Sequence, residues 1–158
     1  LGSVAEKVVR HARCTVLVAR PYADTGSYQH ILVPVDFSAC SRRALEEAGD
    51  LASRSGASVT LLHVIELPAI YGQDVDLHST GLLDDWGDLV EARTATPVTR
   101  LMRTGNPAAQ VLSTVAEDPT IDLIVVGSHG RTGLERMLIG SVAEKVVRHA
   151  TRPVMVAR

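Results

Sequence analysis

Four times between residues 30 and 158, a short run rich in β-branched residues gives way to a segment whose apolar residues recur every three or four positions, and a fifth run closes the chain. That switching of period constrains the fold more than any other feature, because strands separated by helices are joined by right-handed crossovers into a parallel sheet. The runs are HILVPVD (30–36), SVTLLHVIEL (58–67), VTRLMRTG (98–105), IDLIVVGS (121–128) and PVMVAR (153–158). The first shows no polar alternation, as expected of a strand covered on both faces. Ser38 is placed to cap a helix with the apolar stripe Ala44, Leu45, Ala48, Leu51 and Ala52, and Gly56 to end it. Pro107 fits the first turn of a helix reaching Ala116, where its missing N–H costs nothing. Residues 68–97 are the least regular, with a short helix expected over Leu82–Arg93. A final helical pattern spans Leu134–His149. With 158 residues, 46% of them hydrophobic, the chain is long enough for one well-buried domain. The expected fold is α/β, an open five-stranded parallel sheet with helices on both faces.

A duplication stands outside this unit. GSVAEKVVRHA occurs at 2–12 and again at 140–150, and RCTVLVAR (13–20) parallels TRPVMVAR (151–158). Eleven identical residues are not a chance event in a chain this short. We therefore divide the chain into a copied helix and strand at 1–20, a polar linker at 21–29 and a single α/β unit at 30–158. The division has the form of a tandem protein's fragment, with 1–20 the last helix and strand of a preceding copy. The copied strand, Cys14–Ala19, is expected to pair antiparallel with Val154–Ala157 as an added edge. The ten residues 20–29 reach at most about 33–36 Å, against roughly 14 Å needed to cross three strand spacings. The copied helix then carries an apolar face of Val4, Val8 and Val9 in need of cover.

Open parallel sheets take ligands beyond the carboxyl ends of their strands, where the chain order reverses. If the strands at 30–36 and 121–128 are neighbours there, Asp36 and Gly127–Gly130 share one crevice. Glycines admit close approach of backbone amides to anionic oxygens, and a helix N-terminus adds partial positive charge. Gly140 and Ser141 complete such a site only if the loop from 127 to 141 folds back, with the continuous helix starting at Ser141 and Leu134–Ile139 forming a short turn. Neither G-x-x-x-x-G-K-[ST] nor G-x-G-x-x-G is present, so no standard P-loop or dinucleotide fold is indicated.

The spacing Gly127, Gly130, Gly140-Ser141 has the form G-x-x-G-x(9)-G-[ST]. Together with ILVPVDFS (31–38), LLHVIE (61–66) and 122–158, it resembles the universal stress protein family over residues 30–158. The resemblance implies an adenine nucleotide alpha hydrolase-like fold and a cytoplasmic, often dimeric ATP-binding protein of the stress response with little catalysis. It places adenine near Pro34, Val35, Asp36 and Val64, with Asp36 accepting from base or ribose. It gives the phosphates to Gly127, Gly130, Gly140, Ser141 and Val142, with Ser128, His129 and Arg131 lining the loop. Mg²⁺ would arrive with ATP, held chiefly by phosphate oxygens. The dimer it implies forms by last-strand pairing, or here by exchange of the copied segment. Phe37 stands where family members often carry a small residue, which puts access to the ribose in question. Asp36 has an alternative role as cap of the helix that follows it.

Other chemistry finds less support. The net charge is −2, so nucleic acid and anionic membranes are not expected partners. Two cysteines make no disulfide framework and suit a reducing compartment, and neither a signal peptide nor an apolar run of membrane-spanning length is seen. The six histidines are scattered, and Asp74, Asp76 and His78 fit a solvated loop better than a cation site. Cys40 has no sequence-near histidine and fits a small buried side chain of the first helix. Two function classes remain, an ATP-binding regulatory module and a slow ATP hydrolase or self-phosphorylating enzyme using Ser128, Ser141 or His129 at the same site.

Overall fold

The computed structural model describes residues 2–20, 27–66, 77–130 and 139–158. Its elements are α1 (Ser3–His11), β1 (Val16–Val18), β2 (His30–Val35), α2 (Ala39–Ser55), β3 (Ser58–Ile65), α3 (Leu77–Thr94), β4 (Val98–Thr104), α4 (Pro107–Glu117), β5 (Leu123–Gly127), α5 (Ser141–His149) and β6 (Val154–Ala157). They form one sheet in the order β1-β6-β5-β2-β3-β4. Five strands are parallel and β1 alone runs antiparallel, pairing Val16 with Val156 and Val18 with Val154. The expected parallel sheet and its antiparallel edge are both present.

Each layer follows from the sequence pattern. The unalternating runs in β2 and β5 are buried on both sides: Ile31, Val33 and Val125 pack with Ala44, Leu45 and Ala48 of α2, while Leu32, Ile124 and Val126 pack with Val111 of α4 and Val146 of α5. Ser38 caps α2 by accepting from the Ser41 N–H at 3.2 Å, and Gly56 ends it in the left-handed conformation at φ 74°. Asp36 is thus not that helix's cap, although its Oδ1 accepts from the Ser38 N–H at 3.1 Å. Ser38→Ala is expected to cost about 1 kcal/mol, read as a lower urea midpoint with unchanged slope.

Three expectations change. The helix foreseen over Leu82–Arg93 starts at Leu77, because Leu83, Trp86 and Val90 form a buried stripe and Ser79 is buried with them. Arg100 of β4 pairs with Asp88 (2.6 Å) and Glu91 (2.9 Å) of α3, and that hydrogen bond holds the Glu91 carboxyl below its usual range. Cys40 is half-buried rather than buried. Of the copied helix's face, Val9 is buried whereas Val4 and Val8 stay exposed. Last-strand pairing between two copies would require β1 to leave the edge of β6 that it occupies. The turn expected at Leu134–Ile139, the linker core and Asp74 and Asp76 lie wholly or mostly outside the described residues.

Candidate functional site

β2 lies between β5 and β3, so the chain order reverses beside its carboxyl end. Asp36 leaves that end, and Oδ2 lies 2.8 Å from where a Cβ on Gly130 would stand. The carboxylate and the glycine-rich turn therefore share one rim. Gly127 ends β5 directly beneath the first turn of α2, where an added Cβ would fall 2.7 Å from the Cys40 backbone. Beyond it the Ser128 N–H donates to the Ala157 carbonyl at 2.9 Å. The Ser128 carbonyl then accepts from the Gly140 N–H at 2.7 Å, which brings both ends of the 128–140 loop together. α5 starts at that closure with Gly140 as N-cap, and no side chain caps it. The Glu144 N–H makes the first helical bond, to the Gly140 carbonyl. The amides of Ser141, Val142 and Ala143 precede it and have no partner within the helix.

A cavity of about 550 Å³ opens between these parts, within the range that holds cofactor-sized ligands. It brings together ten of the twelve residues the sequence singled out: Pro34, Val35, Asp36, Val64, Gly127, His129, Gly130, Gly140, Ser141 and Val142. Ser128 is not on its wall. That residue is buried, its Oγ 3.1 Å from His129 Nδ1 and 4.0 Å from Cys40 Sγ. Arg131 lies outside the described residues.

Among the lining residues that sequence reasoning missed are Leu62, His63, Ile65, Pro107 and Val111, and the exposed Glu66. The available signal was positional, since Pro107 opens the helix after β4 just as Ser38 precedes the helix after β2. Phe37 does not obstruct the cavity and is not among its lining residues. At φ 62° its ring turns onto His63 (4.6 Å between centroids) and edge-on to Trp86 (5.3 Å). His63 Nδ1 lies 2.9 Å from the Val35 carbonyl, which can only accept, so the proton sits on Nδ1. One side of the cavity is thus apolar, the rim carries a carboxylate, and the other end presents helix-terminal amides. Such a site can hold a flat, partly apolar ring with hydroxyls beside it and an anionic tail. Among the described residues, no group of three or more His, Cys, Asp or Glu is arranged to hold a metal ion.

A sequence profile described as the universal stress protein family matches residues 27–158. A universal stress protein of Mycobacterium tuberculosis is 37% identical over 171 aligned positions, covering 100% of this chain and 56% of that protein. The chain spans about half the length of the first curated relatives it matches. Among solved structures, the universal stress protein UspA of Lactobacillus plantarum superimposes with a TM-score of 0.76 at 29% identity, covering 84% of this chain and 99% of that one. A universal stress protein solved in complex with cAMP shares the fold, with a TM-score of 0.68 at 24% identity over 84% of this chain and 98% of its own.

Proposed function

The chain belongs to the universal stress protein family, and we propose that it is an ATP-binding regulatory module of the stress response, working in the cytoplasm. One observation carries this reading: Asp36 and the uncapped N-terminus of α5 face a single cavity of nucleotide size. Adenine fits against Pro34, Val35 and Val64, and the Asp36 carboxylate accepts from ribose hydroxyls or the base. The phosphates lie against Gly127, Gly130, Gly140, Ser141 and Val142, where glycine admits close approach, the helix-end amides of Ser141 and Val142 donate and the α5 dipole favours negative charge; the Gly140 N–H stays with the Ser128 carbonyl. His129 lines the same end, and we assign Arg131 to this loop as well. With no metal cluster among the described residues, Mg²⁺ would be held by phosphate oxygens and act by neutralising their charge.

Hydrolysis or self-phosphorylation has less in its favour. Ser128 is buried and off the cavity wall, which leaves Ser141 or His129 as the residue such chemistry would use. Where two copies associate, we expect them to exchange the α1–β1 segment. Among the described residues no helix is long and apolar enough to cross a membrane.

Calorimetric titration of the purified, nucleotide-free protein with Mg-ATP tests the reading. One saturable site per chain is expected, with Asp36→Ala weakening it at least tenfold, about 1.4 kcal/mol. Neither heat nor a thermal shift with ATP, ADP or cAMP would leave a nucleotide-free interaction protein of the same fold. Radiolabelled ATP turned over above background, with loss of that turnover in Ser141→Ala, would favour the enzyme.

A further inference from the structure

Asp36 stands in the short stretch between the end of a ladder and the start of a helix. Val35 makes the last pair of the β2–β3 register, opposite His63, and α2 begins at Ala39. On the other side of the carboxylate, Phe37 has φ 62°, a left-handed conformation that a bulky residue keeps only where its surroundings hold it, and one that recurs at ligand sites.

A single ring touches both chain neighbours of Asp36. The His63 Nδ1–H donates to the Val35 carbonyl at 2.9 Å, and the Phe37 ring lies against the same imidazole with 4.6 Å between centroids. Trp86 of α3 meets Phe37 edge-on at 5.3 Å and carries the Arg42 guanidinium 5.5 Å from its own centre, so Phe37 is held from two sides. His63 is 4% exposed. It follows the strand alternation, one position before Val64 and on the opposite face of the sheet, in the layer where Phe37 and Trp86 pack.

The hydrogen bond matters more than the packing. The Val35 carbonyl and the Asp36 N–H belong to one rigid peptide plane. His63 holds that plane at its carbonyl, and Ser41 Oγ accepts from the Asp36 N–H at 3.4 Å. Turning the plane would redirect the bond from the Asp36 backbone to its side chain. Oδ1 in turn accepts from the Ser38 N–H at 3.1 Å, and Oδ2 is the oxygen beside Gly130.

Resting on the nucleotide reading above, we propose that His63 is a positioning residue: through the Val35 carbonyl and the Phe37 ring it aims the Asp36 carboxylate at the ribose hydroxyls, and so sets the preference of the site for a ribonucleotide. A side chain that only filled the space under Phe37 would need no donor. The donor is present, and it is spent on the carbonyl directly before Asp36.

Calorimetric titration with Mg-ATP and with its 2′,3′-dideoxy analogue, which keeps base and phosphates but lacks both ribose hydroxyls, tests the role. The wild-type chain is expected to prefer ATP by about tenfold. His63→Leu should bring ATP down to the affinity of the analogue while the analogue's own affinity stays unchanged. His63→Asn, whose amide nitrogen takes the place of Nδ1 as a donor, should restore the preference. Equal weakening of both ligands in His63→Leu would mark a merely structural residue and overturn the inference, as would loss of the preference in His63→Asn. Wild-type protein that binds both ligands equally would overturn it while leaving nucleotide binding in place; wild-type protein that binds neither would remove the nucleotide reading and this inference with it. Should His63→Leu fail to fold, NMR of the wild-type imidazole decides: a proton on Nδ1 is expected, its signal shifting through the ATP titration and shifting less with the analogue. A proton on Nε2 alone, or equal shifts with both ligands, would overturn the assignment.

Discussion

Gly127→Ala is expected to lower the melting temperature by roughly 6–12 °C, the equivalent of about 3 kcal/mol in a chain of this size. The added Cβ would fall 2.7 Å from both the carbonyl carbon and the oxygen of Cys40, and 2.9 Å from the Ser41 amide nitrogen. All three atoms are backbone in the first turn of α2, so no side-chain rotation relieves the overlap. Either α2 lifts from β5 or the end of β5 bends, and both disturb the packing of Val125 against Ala44 and Leu45. Gly49→Ala is the contrast. Its Cβ would meet nothing within 4 Å in the middle of α2, and helix propensity alone should raise stability by about 0.5–1 kcal/mol. Thermal melts followed by circular dichroism distinguish the two.

The second large effect concerns affinity. Gly130 is exposed, so Gly130→Ala should leave the melting temperature nearly unchanged, yet it should weaken ATP binding tenfold to about a hundredfold, or about 1.4–2.8 kcal/mol. The new Cβ would sit 2.8 Å from Asp36 Oδ2, and the carboxylate would have to swing from the position in which, on the proposed reading, it accepts from the ribose. The same methyl also holds phosphate oxygens away from the loop amides. If the carboxylate's displacement dominates, Gly130→Ala with Asp36→Ala will bind no more weakly than Asp36→Ala alone, a non-additivity expected of residues in contact. Calorimetric titrations of the three variants measure it directly.

The sheet was legible in the sequence chiefly through its central strands β2 and β5, whose burial on both faces strips them of polar alternation and leaves the runs ILVPV and LIVVG. The ends of α2 were legible too, since Ser38 and Gly56 each solve a local problem of backbone hydrogen bonding or left-handed geometry. α3 was harder to find. Gly81 and Gly87 weaken its local propensity, and one reason for a glycine at 87 is the Arg100 guanidinium lying over it, which would have to shift for a Cβ standing 2.2 Å from its Nε. Such a reason is visible only once β4 is packed beneath the helix.

At the site, Asp36, Gly130 and Gly140-Ser141 could be read because each is a residue type suited to a strand or helix end. Pro107 carried only a positional signal, at the start of the helix after β4, and Val111 carried none, since nothing in its own segment says which crevice it walls. Phe37 misled for a related reason. A bulky residue there suggests obstruction, but a positive φ costing roughly 1–2 kcal/mol sends its ring to His63 and Trp86, and sequence does not show the sign of φ.

The central claim is that amides from two separated turns, at Gly127–Gly130 and Gly140–Val142, hold the phosphates of one nucleotide beside Asp36. Amide chemical shifts followed by NMR through a titration with Mg-ATP test it most directly. The account predicts saturable shifts, with a single dissociation constant, for Gly127, Gly130, Ser141 and Val142 together with Asp36 and Val64, and none for Val16–Val18 at the far edge of the sheet. Shifts confined to one of the two turns, or clustered away from Asp36, would contradict it.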